Sequence, residues 1–139
     1  MKRIQIEVNI DVPFYDVDPM NVVWHGNYLK YAEIVRTALM DKLNYGYKEM
    51  KKDSIIYPIA KMETKFIKPA HFSDKLKLIA CLEEYEPVLR IKYTFKNQSN
   101  NIIFKASSMQ ICVSTITNES LYVAPHKLKQ GVLKCLENL

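Results

Sequence analysis

A carboxylate and an imidazole stand seven positions apart in "YDVDPMNVVWHGNYLKYAE", the stretch from Tyr15 to Glu33 whose residue types are best suited to chemistry. Asp18 can act as a general base that activates a water, or as a nucleophile that attacks an acyl carbon itself, and both routes are open. His25 stands where an apolar run begins. If that run is a helix, its first N–H groups lack acceptors and the positive end of its dipole converges there, an arrangement suited to polarising a carbonyl oxygen. The imidazole itself could add a hydrogen bond or relay a proton. Gly26 permits close approach of a ligand or another chain. Asp16 would face the same way as Asp18 in an extended segment, but the simpler reading is a turn residue.

These groups need a strand before them and a helix behind them. Residues 3–10, "RIQIEVNI", place Ile4, Ile6, Val8 and Ile10 on one face, which predicts a half-buried strand. From Asn27 to about Leu43 there is neither Gly nor Pro, and Tyr28, Ala32, Val35, Leu39 and Leu43 recur at helical steps. Leu29, Tyr31, Ile34 and Ala38 widen that stripe, so the helix should be wrapped on more than one side. Asn27 is its expected N-cap, and residues 43–54 read as a polar connection. Four alternating, β-branched and aromatic-rich runs follow at 55–70, 74–86, 88–98 and 101–117, divided by turn chemistry. A short amphipathic helix is expected from about Pro125. The last strands have short connections, which favours antiparallel neighbours. One wide-faced helix followed by a meander implies an α+β chain of one domain, residues 1–139, with one sheet curled around one central helix.

Composition narrows the function classes. The chain has 139 residues, 48 % of them apolar and 25 % charged, an ordinary globular balance. Only Gly26, Gly46 and Gly131 are glycines, so no glycine-rich phosphate loop is available. No apolar window is long enough for a transmembrane helix, and "MKRIQIEVNIDV" lacks the apolar core of a signal peptide; a cytoplasmic location is expected. Cys81, Cys112 and Cys135 lack C-x-x-C spacing, and the first two read as small buried hydrophobes. His25, His71 and His126 are too scattered for a local metal cluster, so neither metal nor cofactor is expected. The net charge of +5 comes from lysine more than arginine, without an aromatic-interleaved basic stripe; a solvated surface is favoured over nucleic-acid binding.

The run Tyr15-Asp16-Val17-Asp18-Pro19-Met20-Asn21-Val22-Val23-Trp24-His25-Gly26-Asn27-Tyr28, followed by Glu33 and Arg36, resembles the signature of the 4-hydroxybenzoyl-CoA thioesterase family, in particular its YbgC-type acyl-CoA thioesterase branch. "TKFIKPAHFSDKLKL" and Pro125 add supporting likeness over nearly the whole chain. Where the family usually has Gly, this chain has Asn21, one of the few other residues that tolerate a left-handed backbone. The resemblance implies a hot-dog fold, a curved antiparallel five-stranded sheet wrapped around one long helix. It implies hydrolysis of an acyl-CoA to a carboxylic acid and free CoA, with Asp18 as the catalytic carboxylate and the backbone N–H at His25 polarising the thioester. Asn21, Val23, Trp24, Gly26, Asn27 and Tyr28 would then surround the substrate. Glu33 and Arg36 read as a structural pair, and Tyr57, Met62 and Phe66 as either acyl-pocket lining or core. The family likeness also implies a homo-oligomer, a dimer or dimer of dimers, and the sheet's edge strand agrees with that. Alternatives are an acyl-carrier-protein thioesterase using the same site, and a non-catalytic acyl-CoA-binding protein of the same fold.

Overall fold

The computed structural model describes residues 3–139. The N-terminal alternation becomes β1 (Gln5–Asp11), with Gln5, Glu7, Asn9 and Asp11 outward and Ile6, Val8 and Ile10 packed inward. A 3-10 turn (Phe14–Asp16) and a loop lead into α1 (Asn27–Lys42). Its N-cap is Gly26 rather than the expected Asn27, with no side-chain cap; Asn27 instead donates from Nδ2 to the Asp16 carbonyl at 2.8 Å. The helix stops at Leu43, and Asn44 follows with a left-handed φ of 57°.

Strands β4 (Lys75–Glu84), β5 (Leu89–Lys96) and β6 (Ile102–Gln110) form the expected antiparallel meander. Its second hairpin closes where Asn97 N–H donates to the Asn101 carbonyl at 3.0 Å and Asn100 takes φ 64°. The five-stranded sheet runs β1-β4-β5-β6-β3, so β3 (Ile59–Phe66) lies at the far edge against β6, remote from its sequence neighbour β4. Leu76, Leu78 and Ala80 of β4, Ile91, Tyr93 and Phe95 of β5 and Phe104 of β6 share one core with Tyr31, Ala32, Val35 and Leu39 of α1. Val35 and Leu39 are wholly shielded, and burying such a side chain contributes about 1.5–3 kcal/mol.

Two of the four long runs are divided. Pro58 cannot donate to a ladder, and the 55–70 run splits there into β2 (Ile55–Ile56) and β3, ending at Phe66. The 101–117 run breaks at Ile111, whose N–H turns aside to the Pro58 carbonyl at 3.2 Å. Beyond it, β7 (Cys112–Ser114) pairs with β2 and with β8 (Ser120–Leu121) in a small second sheet. The stretch read as a polar connection contains a further short helix, α2 (Tyr47–Lys52). The C-terminal helix α3 (His126–Glu137) packs so closely on the end of α1 that a Cβ at Gly131 would lie 1.8 Å from the Leu43 carbonyl oxygen. Among the described residues, no helix is long and apolar enough to cross a membrane.

Candidate active site

The loop between β1 and α1 is a tightly bonded turn. Val17 bridges Val23 and Val22 bridges His71, so the loop is pinned both to itself and to the segment leaving β3. Asp18 N–H donates to the Val22 carbonyl at 2.8 Å, and Asn21 N–H to the Asp18 carbonyl at 2.9 Å. Asn21 takes φ 64°, the left-handed backbone for which glycine is usual and asparagine suffices. One carboxylate oxygen of Asp18, Oδ1, accepts the Met20 N–H at 2.8 Å and the Val22 N–H at 3.4 Å. These two bonds hold the side chain against its own turn. Its other oxygen, Oδ2, receives no donor from the described residues and remains for a ligand or water.

Asp16 has a different part. The 3-10 turn breaks the extended geometry under which the two aspartates would share a face, and Asp16 turns inward to 3 % exposure. Its Oδ2 accepts the Tyr31 hydroxyl at 2.7 Å and its Oδ1 the Lys30 ammonium. Burial first, then the Asp16 carboxylate, pushes the Tyr31 hydroxyl far above the ordinary tyrosine range, keeping it a donor. The Asp16 main-chain carbonyl also receives the Trp24 N–H at 3.1 Å and Asn27 Nδ2. Asp16 thus fastens the loop to the first turns of α1. It sits in a turn, as the simpler reading had it, and both its carboxylate oxygens are engaged in structural bonds.

The helix start is open. Asn27 N–H closes back on the Trp24 carbonyl at 2.9 Å and Tyr28 N–H on the His25 carbonyl at 3.3 Å. The N–H groups of His25 and Gly26 have no acceptor among the described residues, and no acidic side chain occupies the first helical turn. Such N–H groups, with the dipole behind them, favour a developing negative charge. Trp24 and His25 are exposed side by side, ring centroids 5.0 Å apart, and Trp24 folds so tightly over Gly26 that a Cβ there would lie 2.2 Å from its ring.

The expected substrate-lining set divides in two. Asn21, Trp24 and Gly26 remain at the surface of the loop with Asp18 and His25. Val23 and Tyr28 are buried, 5 % and 3 % exposed, and they hold the frame, as does half-buried Asn27 through its bond to the Asp16 carbonyl. Val23 N–H donates to the Ala70 carbonyl at 2.8 Å, and the Tyr28 hydroxyl accepts the Ala70 N–H at 3.1 Å. The Tyr28 ring stacks on Phe104 and meets Phe66 edge-on. Glu33 and Arg36 pair as expected on α1. Tyr57 lines a cavity between α1, α2 and β2, in company with Gln110, a residue that looks like any other strand position in the sequence.

Comparison with known proteins agrees with this architecture. Residues 12–131 match the thioesterase-like superfamily. YneP of Bacillus subtilis, provisionally named an acyl-CoA thioesterase, is 30 % identical over 105 residues, spanning 75 % of this chain and 76 % of that protein. The acyl-CoA thioester hydrolase YbgC of Shigella flexneri is 20 % identical over 125 residues, 89 % of this chain and 90 % of its own. The crystal structure of DHNA-CoA thioesterase from Staphylococcus aureus superimposes with a TM-score of 0.84 at 23 % identity, covering 96 % of this chain and 93 % of that one. The fold is therefore the hot-dog fold, as the order of helix and strands led one to expect. On the match of residues 12–131 and the likeness to YneP and YbgC, this chain belongs to the thioesterase-like superfamily, the family expected from its Tyr15–Tyr28 motif.

Proposed function

We propose that this chain hydrolyses acyl-CoA thioesters to a carboxylic acid and free CoA. The observation that carries the reading is the pairing, on one rigid loop, of an unengaged carboxylate oxygen on Asp18 with the free N–H groups of His25 and Gly26. The thioester oxygen would lie at the helix start, where those N–H groups stabilise the charge it gains as the carbonyl carbon is attacked. Asp18 Oδ2 would draw a proton from a water as that water's oxygen bonds to the carbonyl carbon; the carbon–sulfur bond then breaks, and the proton held by Asp18 passes to the sulfur so that CoA leaves as its thiol. In the alternative route, Oδ2 attacks the carbon, CoA leaves, and water cleaves the resulting acyl–Asp18 anhydride. Single-turnover hydrolysis in heavy-oxygen water bears on this, since label in Asp18 arises only by the second route, with water attacking the Asp18 side of the anhydride. Neither route needs a metal or cofactor.

Asp18→Asn keeps the turn's acceptor oxygen but removes the base or nucleophile, so thiol release should fall by about a hundredfold or more. Binding of a non-hydrolysable acyl-CoA should change little. An Asn variant that kept most of its turnover would refute this function for Asp18. His25→Ala leaves the backbone N–H in place and should cost less.

The same reading makes the enzyme a homodimer at least, or a dimer of dimers. It is supported by β3, an edge strand with one pairing partner and with exposed Ile59 and Phe66. Light scattering at micromolar concentration should give a mass of at least twice 16.3 kDa, and a fully active monomer would count against it. The cytoplasm is the proposed location, a reducing compartment that suits unpaired Cys81, Cys112 and Cys135.

A further inference from the structure

A cleft of about 500 Å³ opens where β1, β4 and the hairpin between β5 and β6 meet. Its wall carries the ammonium groups of Lys75, Lys77 and Lys96 and one carboxylate, that of Asp11. Lys75 and Lys77 alternate with buried Leu76 and Leu78, and Lys96 follows buried Phe95, so all three leave the sheet on the face away from α1. The pairing register sets Lys77 directly opposite Lys96 on one side and Asn9 on the other. Lys75 is paired with Asp11 at 3.3 Å, and Lys77 reaches Glu7 only at 3.9 Å. Lys96 meets no carboxylate among the described residues. Like charges directly opposed across a ladder cost stability, and an anion that touches both removes that cost. The side-chain amides of Asn9 and Asn100, also unengaged among the described residues, add neutral donors to the same wall. The volume falls within the range of small-ligand pockets, about 300–1,000 Å³, and exceeds what one phosphate fills.

A chain of hydrogen bonds ties this cleft to the loop that carries Asp18. Gln98, on the cleft wall, accepts the Lys75 N–H at 3.1 Å and donates to Asp74 Oδ1 at 3.0 Å. Asp74 Oδ2 accepts the His71 N–H at 2.8 Å, His71 bridges Val22, and the Val22 N–H reaches Asp18 Oδ1. The Asp74 N–H closes a turn on the His71 carbonyl at 3.1 Å, which keeps their Cα atoms within about 7 Å. With one further residue and one ladder spacing, the Lys75 backbone lies within about 16 Å of Val22. In CoA roughly thirteen bonds separate the sulfur from the nearest phosphorus, about 16 Å when extended at about 1.25 Å per bond. The pantetheine arm therefore matches the span from the cleft to the reactive loop.

Resting on the thioesterase reading, we propose that the cleft of Lys75, Lys77 and Lys96 binds the phosphates of the CoA nucleotide while the pantetheine arm carries the thioester to Asp18. Calorimetric titration of the full chain with CoA and with pantetheine, which lacks every phosphate, tests this. CoA should bind about tenfold or more tightly, and added salt should narrow the gap. In Lys77→Gln/Lys96→Gln the gap should shrink by about fivefold or more, and KM for an acyl-CoA should rise by a similar factor while kcat holds. Lys61→Gln, which removes a charge from β3 outside the cleft, should leave the gap as it is. Thermal unfolding checks that the double variant is folded, and Lys96→Gln alone replaces it otherwise. CoA binding no tighter than pantetheine, or a gap unchanged in the folded variant, would overturn the proposal. A separate nucleotide offers the same phosphate chemistry, so ADP is the second probe. ADP binding that depends on Lys96 but is not displaced by CoA would give the cleft to an effector and overturn its part in holding substrate. Thiol release is read separately. Turnover of acyl-CoA with a gap insensitive to the lysines overturns the cleft's role alone, whereas a lysine-dependent gap without turnover of any acyl-CoA overturns the thioesterase reading alone.

Discussion

Replacing Tyr31 by Phe removes one oxygen from the lock behind the Asp18 loop. That hydroxyl is buried, donates to Asp16 Oδ2 at 2.7 Å, and is the only donor to that oxygen among the described residues. Lys30 holds only the other carboxylate oxygen, from a half-exposed position. The substitution thus strands a buried, charged acceptor, and hydrogen bonds to charged groups contribute about 1.5–3 kcal/mol. In a chain of 139 residues each kcal/mol moves the melting temperature by about 3–5 °C, so a fall of about 5–15 °C is expected. Urea unfolding and calorimetry at neutral pH measure it. In a double-mutant cycle with Asp16→Ala, the combined loss should be smaller than the sum by a similar amount, because both changes break one bond. Thiol release should fall only severalfold, since neither residue touches substrate. A Tyr31→Phe protein as stable as its parent, or losses that simply add, would refute the role given to Asp16.

Three further outcomes follow from the packing. Gly131→Ala forces a methyl group against the Leu43 backbone oxygen, so it should cost about 2 kcal/mol or more in urea unfolding while leaving the Asp18 loop untouched. Gly26→Ala must swing the exposed Trp24 ring aside; stability should change by less than about 1 kcal/mol, and a raised KM in a thiol-release assay is the sign to look for. At alkaline pH the fold should weaken steeply. Burial first, then Asp16 beside Tyr31, Asp53 beside Tyr45 and Cys112 beside Tyr57, pushes these hydroxyls far above their ordinary value. The unfolded chain loses those protons above about pH 10 while the folded chain keeps them, so stability is full below that pH and falls as pH rises. Urea midpoints that stay level to about pH 12 would contradict this.

How much could be read from the chain depended on whether the controlling contact was local. In β1, β4 and β5 burial on one face imposes a period of two, and in α1 it imposes steps of three and four, so those elements were legible. Asn21 was legible too, because a left-handed turn narrows the choice of residue at a single position. The placement of β3 beside β6 was not, since nothing in the 55–70 run names a partner forty residues away. Asp16 was legible as a turn residue, but its lock on Lys30 and Tyr31 was not, because the 3-10 turn at Phe14–Asp16 directs it inward to partners beyond the loop. Asn27 has the composition of a cap, but the Asp16 carbonyl competes successfully for its side chain. Gln110 gave no signal at all. A polar residue in a strand is ordinary, and only the fold shows it buried with its amide donating to the Tyr57 carbonyl.

Ala70 is stitched by both of its main-chain groups, to Val23 through its carbonyl and to the Tyr28 hydroxyl through its N–H, and His71 continues the seam to Val22. It lies four residues beyond the end of β3, the strand at the free rim of the sheet. The rim therefore works as a lever arm whose short end grips the turn carrying Asp18 and the first turn of α1 together. Any strand that adds itself along β3 sets the height of both at once, and any event that strips it away lets both settle together. If copies of the chain pair along β3, as proposed, that pairing and the reactive loop share one seam, and diluting the protein until copies separate should slacken the loop along with the rim.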